Sequence, residues 1–220
     1  MTARPFLQRA LGLANALLFV AAFGLAFDHS VASALSRLTG EAHWSTAGGA
    51  PIVVVDRTGE AAWQRADQRA VEVWNRAAAG TPLRLVWTAG SGPCGDDHDL
   101  IEICQTSSAS LNEGQQVDRQ GVTRVELGSD HQQPHIGRAT VLVCGDCEFD
   151  TARRRVVSAH ELGHAVGLLH SERLGSVMFH TGGPDEPDAE DTAELRALYA
   201  HVDGPDRCGF FDVRAGAFCF

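Results

Sequence analysis

The chain has 220 residues, with 18 basic against 28 acidic side chains, a formal net charge of −10 and 44% hydrophobic residues. This is enough for one domain with a continuous apolar core, and a second catalytic module would not fit. The acidic balance excludes nucleic acid or an anionic membrane surface as partner, because both need a cationic footprint.

Residues 1–34 read as a signal peptide. Arg4 and Arg9 precede an apolar run from Ala10 to Phe27, and Ala32-Ser33-Ala34 offers the small side chains a signal peptidase accepts. Cleavage after Ala34 is the expectation, with an uncleaved membrane anchor as the alternative, since the run is just long enough to span a bilayer. Either way residues 35–220 form a single domain outside the cytoplasm, and cleavage makes it secreted and free of the membrane. All six cysteines lie in this part: Cys94, Cys104, Cys144, Cys147, Cys208 and Cys219. An even count in an exported chain points to disulfides, and proximity favours Cys94 with Cys104, Cys144 with Cys147, and Cys208 with Cys219 among the fifteen pairings. As a zinc pair, Cys144 and Cys147 lack a matching second CxxC.

Residues 35–49 are small, polar and glycine-containing, a flexible lead-in. Pro51 to Val55 is a β-branched run that predicts a buried strand. From Glu60 to Ala79, Trp63, Ala66, Ala70, Val73, Trp74 and Ala77 recur at helical spacing until Gly80-Thr81-Pro82 stops the helix. Strands follow at Leu83–Trp87, Leu100–Cys104, Val122–Leu127 and Arg138–Cys144. The loop before the last of these carries His131 and His135, both expected in solvent.

Asp150 or Thr151 can cap the next helix, in which Arg153, Arg154 and Arg155 are expected to form a solvated face. After it, Pro187, Asp188 and Glu190 suit the start of a final helix running to about His201. The tail from Cys208 to Cys219 reads as a small disulfide-closed hairpin.

The stretch HELGHAVGLLH, His160 to His170, carries the chemistry. Residues four apart share a helix face, so His160 and His164 can point at one ion, with Glu161 one position round, near a water on that ion. Gly167 lets the chain leave the helix and return His170 as a third nitrogen ligand. Three nitrogens leave a fourth position open, the mark of a catalytic rather than a structural zinc. Ser171 follows directly, and Met178 stands eight residues beyond His170.

HExxHxxGxxH with a downstream methionine resembles the metzincin signature of zinc endopeptidases, and Ser171 with the His170–Met178 spacing is similar to the matrixin branch. Glu190-Asp191 before Leu195, Leu198 and Tyr199 looks like the final matrixin helix. The resemblance covers roughly residues 50–201 and implies an α+β fold: a mixed five-stranded sheet, an active-site helix and a C-terminal helix. It further implies one catalytic zinc on His160, His164 and His170, Glu161 as general base, and Met178 in a tight turn beneath the metal. Protein or peptide substrates would bind in extended form, with Ala139–Val143 as the edge strand that receives them.

Three features depart from the family. Phe179-His180-Thr181-Gly182 stands where matrixins usually show Pro-x-Tyr. His180 falls where some metzincins place a tyrosine that reaches the metal site, which makes it a candidate transition-state contact. The His- and Asp-rich loop for a structural zinc and calcium is missing, although Asp146, Glu148 and Asp150 offer a calcium alternative. No cysteine-switch prodomain is expected, and Arg207-Cys208-Gly209, which faintly resembles that latch, reads instead as a disulfide half-cystine. A non-catalytic exported zinc-binding protein and a disulfide-stapled interaction module are the rival readings, and neither has a use for Glu161.

Overall fold

The computed structural model describes residues 42–95, 97–113, 119–128 and 135–201. The signal segment, His131 and the Cys208–Cys219 pair lie outside the described residues. The elements in chain order are β1 (His43–Trp44), β2 (Ile52–Asp56), α1 (Ala61–Ala77), β3 (Leu85–Ala89), β4 (Leu100–Thr106) and a short α2 (Ser108–Leu111). Then come β5 (Gly121–Leu127), β6 (His135–Cys144), α3 (Thr151–Ala165) and α4 (Ala189–Leu198).

The strands form one mixed sheet in the order β1-β6-β4-β2-β3, all parallel, with β5 antiparallel on the free flank of β6. Five strands were expected, and the sixth is the two-residue β1, inside the stretch read as a flexible lead-in. Two residues carry no periodicity to read. What fixes them is tertiary: the buried Trp44 donates its indole Nε1 to Ala165 O at 2.7 Å, and Tyr199 Oη accepts the Trp44 backbone N–H at 3.2 Å.

The edge strand also needs correction. Ala139–Val143 pairs with β4 on one side and β5 on the other, so it is interior and the exposed edge belongs to β5. The physical reason is visible in composition. The run Ala-Thr-Val-Leu-Val is apolar on both faces, as a strand covered on both sides requires, whereas β5 carries Arg124 and Glu126 and exposes its last four residues.

Helix α1 covers the sheet with its apolar stripe, burying Trp63, Ala66, Ala70, Val73, Trp74 and Ala77. Trp74 is fully buried and donates Nε1 to Ala159 O of α3 at 2.8 Å, which ties the two helices together. The arginine face is solvated only at Arg155. Arg154 lies over the Trp63 ring at 5.6 Å and pairs with Glu60 at 3.2 Å. Arg153 is half-buried and lines a cleft described below. His135 opens β6 rather than sitting in a solvated loop, and its ring meets His43 edge-on at 5.0 Å.

Both disulfides within the described residues form as expected, Cys94–Cys104 and Cys144–Cys147, so the latter pair is no zinc ligand set. Asp146, Glu148 and Asp150 do not gather into a cation site. Asp146 accepts the Ser108 N–H at 2.6 Å, and Asp150 caps α3 by accepting the Arg153 N–H at 2.7 Å. Helix α4 begins with a capping box between Asp188 and Asp191, and ends at Leu198, three residues before the expected limit.

Candidate active site

The last two turns of α3 carry His160, Glu161 and His164, and the four-residue spacing puts both imidazoles on one face. The helix then has to stop and turn back. Gly167 has φ +102°, and a Cβ there would run into the Ala42 carbonyl, so only glycine fits. The carbonyls released at this end are satisfied from afar: Ala165 O by Trp44, and Val166 O by the Tyr199 hydroxyl at 2.9 Å. The turn brings His170 back to the helix.

His160 Nε2 lies 3.2 Å from His164 Nε2 and 3.3 Å from His170 Nε2. One ligand atom from each of the three rings fits within 4.8 Å of the others. Two of the rings are locked by carbonyl oxygens: His160 Nδ1 donates to Val177 O and His164 Nδ1 donates to Leu168 O, both at 2.8 Å. A carbonyl offers no proton, so these neutral rings carry theirs on Nδ1 and present bare Nε2 lone pairs to each other. Burial holds all three imidazoles below the ordinary histidine value, His164 down to about 3, with the neighbouring rings adding to the effect. Neutral nitrogens converging on one point are the donor set zinc takes, so the residues fit that ion.

Beneath the rings, Met178 is fully buried and packs against Gly163, the helix residue between Glu161 and His164. A Cβ on Gly163 would strike the methionine sulfur and would lie 2.7 Å from Trp74 Cζ2. Ser171 N donates to Met178 O at 2.9 Å, which closes the turn. The turn is fastened by Asp191 of α4. This fully buried carboxylate accepts the Val177 N–H at 2.9 Å, the Ser176 hydroxyl at 2.5 Å and Arg173 Nη2 at 2.8 Å. Because Val177 O holds the His160 ring, Asp191 of α4 positions a candidate ligand through the Val177 peptide. Sequence reading noted the acidic pair without this role.

Strand β5 forms the other wall. The Thr123 hydroxyl lies 2.7 Å from Glu161 Oε2 and 2.9 Å from the Glu161 carbonyl oxygen. Gly121 leaves room for the same carboxylate, since a Cβ there would sit 2.7 Å from Glu161 Cγ and 2.8 Å from Oε1. Burial pushes the Glu161 carboxyl up to about 7, against the opposing pull of the Thr123 hydrogen bond and the Arg119 charge. Gly121 and Thr123 were missed from sequence, because nothing in local spacing relates them to a residue some forty positions away.

The walls enclose a cleft of about 530 Å³ bounded by the three histidines, Glu161, Arg119 to Thr123, Arg153, Val157 and His180 to Gly182. His180 is exposed at this cleft, with its ring tilted against Phe179 at a centroid distance of 4.5 Å.

Comparison with known proteins gives one sequence family. The Matrixin family profile matches residues 56–200. No curated protein sequence matches the chain. Among solved structures, myroilysin matches at TM-score 0.40 and 10% identity, covering 73% of this chain and 90% of its own. High choriolytic enzyme 1, a hatching enzyme zinc-protease from the medaka fish Oryzias latipes, matches at TM-score 0.41 and 14% identity over 72% of this chain and 94% of its own. Archaemetzincin from Methanopyrus kandleri gives TM-score 0.41 and 14% identity over 70% and 98%.

Proposed function

Because this chain belongs to the matrixin family of zinc metalloproteases, we propose that it is an exported endopeptidase that hydrolyses internal peptide bonds of proteins. His160, His164 and His170 are its zinc ligands and Glu161 its general base. The observation that carries this reading is the convergence of imidazole nitrogens whose lone pairs face one another. They repel unless a cation lies between them. Export rests on the composition of residues 1–34 and on disulfides that persist outside the cytoplasm.

When bound, zinc supplies Lewis acidity, making water nucleophilic near neutrality and polarising a carbonyl. Thr123 engages Glu161 Oε2, which leaves Oε1 to take a proton from the attacking water and return it to the leaving amine nitrogen. His180, at the cleft mouth, donates an N–H toward the oxygen that gains charge as the carbonyl is attacked. The free edge of β5 receives the substrate as an added strand, so backbone hydrogen bonds hold an extended peptide with little regard to sequence. Substrate thus lies between β5 and the histidines.

A non-catalytic exported zinc-binding protein, or a disulfide-stapled interaction module, would not need a buried carboxylate braced by two residues of a strand. The test is cleavage of casein by zinc-loaded protein and by Glu161→Gln. The parent should cleave and lose activity to a chelator. The variant should keep one zinc per chain and lose activity by about 10²–10⁴-fold. Cleavage by the variant at the parent's rate would remove Glu161 as the base, and a zinc-loaded parent that cleaves neither casein nor a mixed peptide library would leave the non-catalytic reading.

A further inference from the structure

The cleft holds an unusual charge. In a chain of net charge −10, it is bounded on the substrate side by two arginines, Arg119 and Arg153, and among the described residues that line it Glu161 is the one carboxylate. Arg153 projects from the first turn of α3, and its Nε donates to Gln120 Oε1. The terminal nitrogens have no acceptor among the described residues. They lie over Gly182, where a Cβ would approach Nη1 to 2.9 Å and Nη2 to 3.4 Å. The bare glycine therefore makes the room that the guanidinium occupies.

Elsewhere in the domain the half-buried arginines are neutralised. Arg57 pairs with Asp97 and Glu102, Arg138 with Glu126, Arg154 with Glu60, and Arg173 with four carboxylates. Arg153 has no carboxylate within 4 Å among the described residues. A half-buried guanidinium without an anion is a desolvation cost that the fold does not offset internally. Its free edge, two parallel N–H groups, matches the two oxygens of a carboxylate, and Val122 and Val157 supply apolar wall for the methylenes that carry one.

Resting on the endopeptidase reading above, we infer that this pocket selects an acidic side chain: the enzyme cleaves beside aspartate or glutamate, and Arg153 is the residue that reads it. The pocket shares its walls with Glu161 and His160, so the selected side chain flanks the scissile bond. Arg119 adds a second positive charge on the β5 side. The protein's acidic exterior repels such substrates at long range, and the preference is therefore made in the pocket, by short-range hydrogen bonding.

The experiment maps cleavage sites of the zinc-loaded enzyme in a mixed peptide library, then measures kcat/KM for a matched pair of peptides differing only in Glu or Gln at the enriched position. Acidic residues should be enriched at one position adjoining the cleaved bond. The Glu-to-Gln ratio of kcat/KM should fall about tenfold or more in Arg153→Met, as expected for loss of a charge-assisted hydrogen bond. Arg155→Met, on the same helix but exposed, should keep the parental ratio. Cleavage sites without acidic enrichment, or an Arg153→Met ratio equal to the parent's, overturn the inference while leaving the peptidase intact. No cleavage of any library member overturns both.

Discussion

The two walls of the cleft are built on different principles. The inner wall, His160 to Met178, comes from nineteen consecutive residues, and its geometry is set by helix pitch, one left-handed glycine and one tight turn. The outer wall, Gly121 to Thr123 with His180 to Gly182, is assembled from a strand edge and a loop that meet only in the folded protein. Gripping an ion demands fixed spacing along the chain, while shaping a pocket for substrate does not. Metal chemistry is therefore compact in sequence and selectivity is scattered.

The sharpest test of this division asks how far the outer wall positions the groups that react. Gly121→Ala places a methyl group 2.7 Å from Glu161 Cγ and 2.8 Å from Oε1, its nearest neighbours. Displacing Glu161, the proposed base, by a fraction of an ångström should lower kcat by up to about 100-fold with zinc content unchanged. Equal kcat would mean that Glu161 has slack and that β5 does not position it. His180→Ala tests the same wall more gently: a lost donor to the developing oxyanion should reduce kcat about 10-fold or more with little change in KM, and unchanged kinetics would leave His180 an ordinary loop residue.

The smallest effect probes the rear of the inner wall. Asp67 of α1 is fully buried and accepts the Ser158 hydroxyl of α3 at 2.6 Å. Burial holds its carboxyl well above the carboxylate range, and the Asp56 charge adds to this against the Ser158 hydrogen bond. The folded state thus binds this proton more tightly than the unfolded chain. The stabilisation is complete below the unfolded pKa of about 3.9 and fades as pH rises toward the folded value. Asp67→Asn carries no such proton, so its Tm relative to the parent should improve as pH rises above about 4. Parallel Tm profiles would contradict the protonated assignment.

How far the sequence could be read follows the same line. The strand pattern from Ile52 onward, the Trp74 core contact, two disulfides and the three histidines were legible, because each is a matter of period or spacing. β1 was not, since a two-residue strand has no period and is held by Trp44 bonding to the end of α3. The edge strand was misplaced by carrying over the family's topology, although the doubly apolar run of β6 already marked an interior strand. Arg153 was read as solvated because helical position alone cannot show that Gly182, almost thirty residues on, leaves a space for it.

The central claim is tested most directly by zinc K-edge absorption of the purified, zinc-loaded protein at one equivalent. Three imidazole nitrogens and one oxygen donor at about 2.0–2.1 Å are the expected shell. A sulfur ligand near 2.3 Å, or fewer than three imidazoles, would place the metal elsewhere and contradict the account.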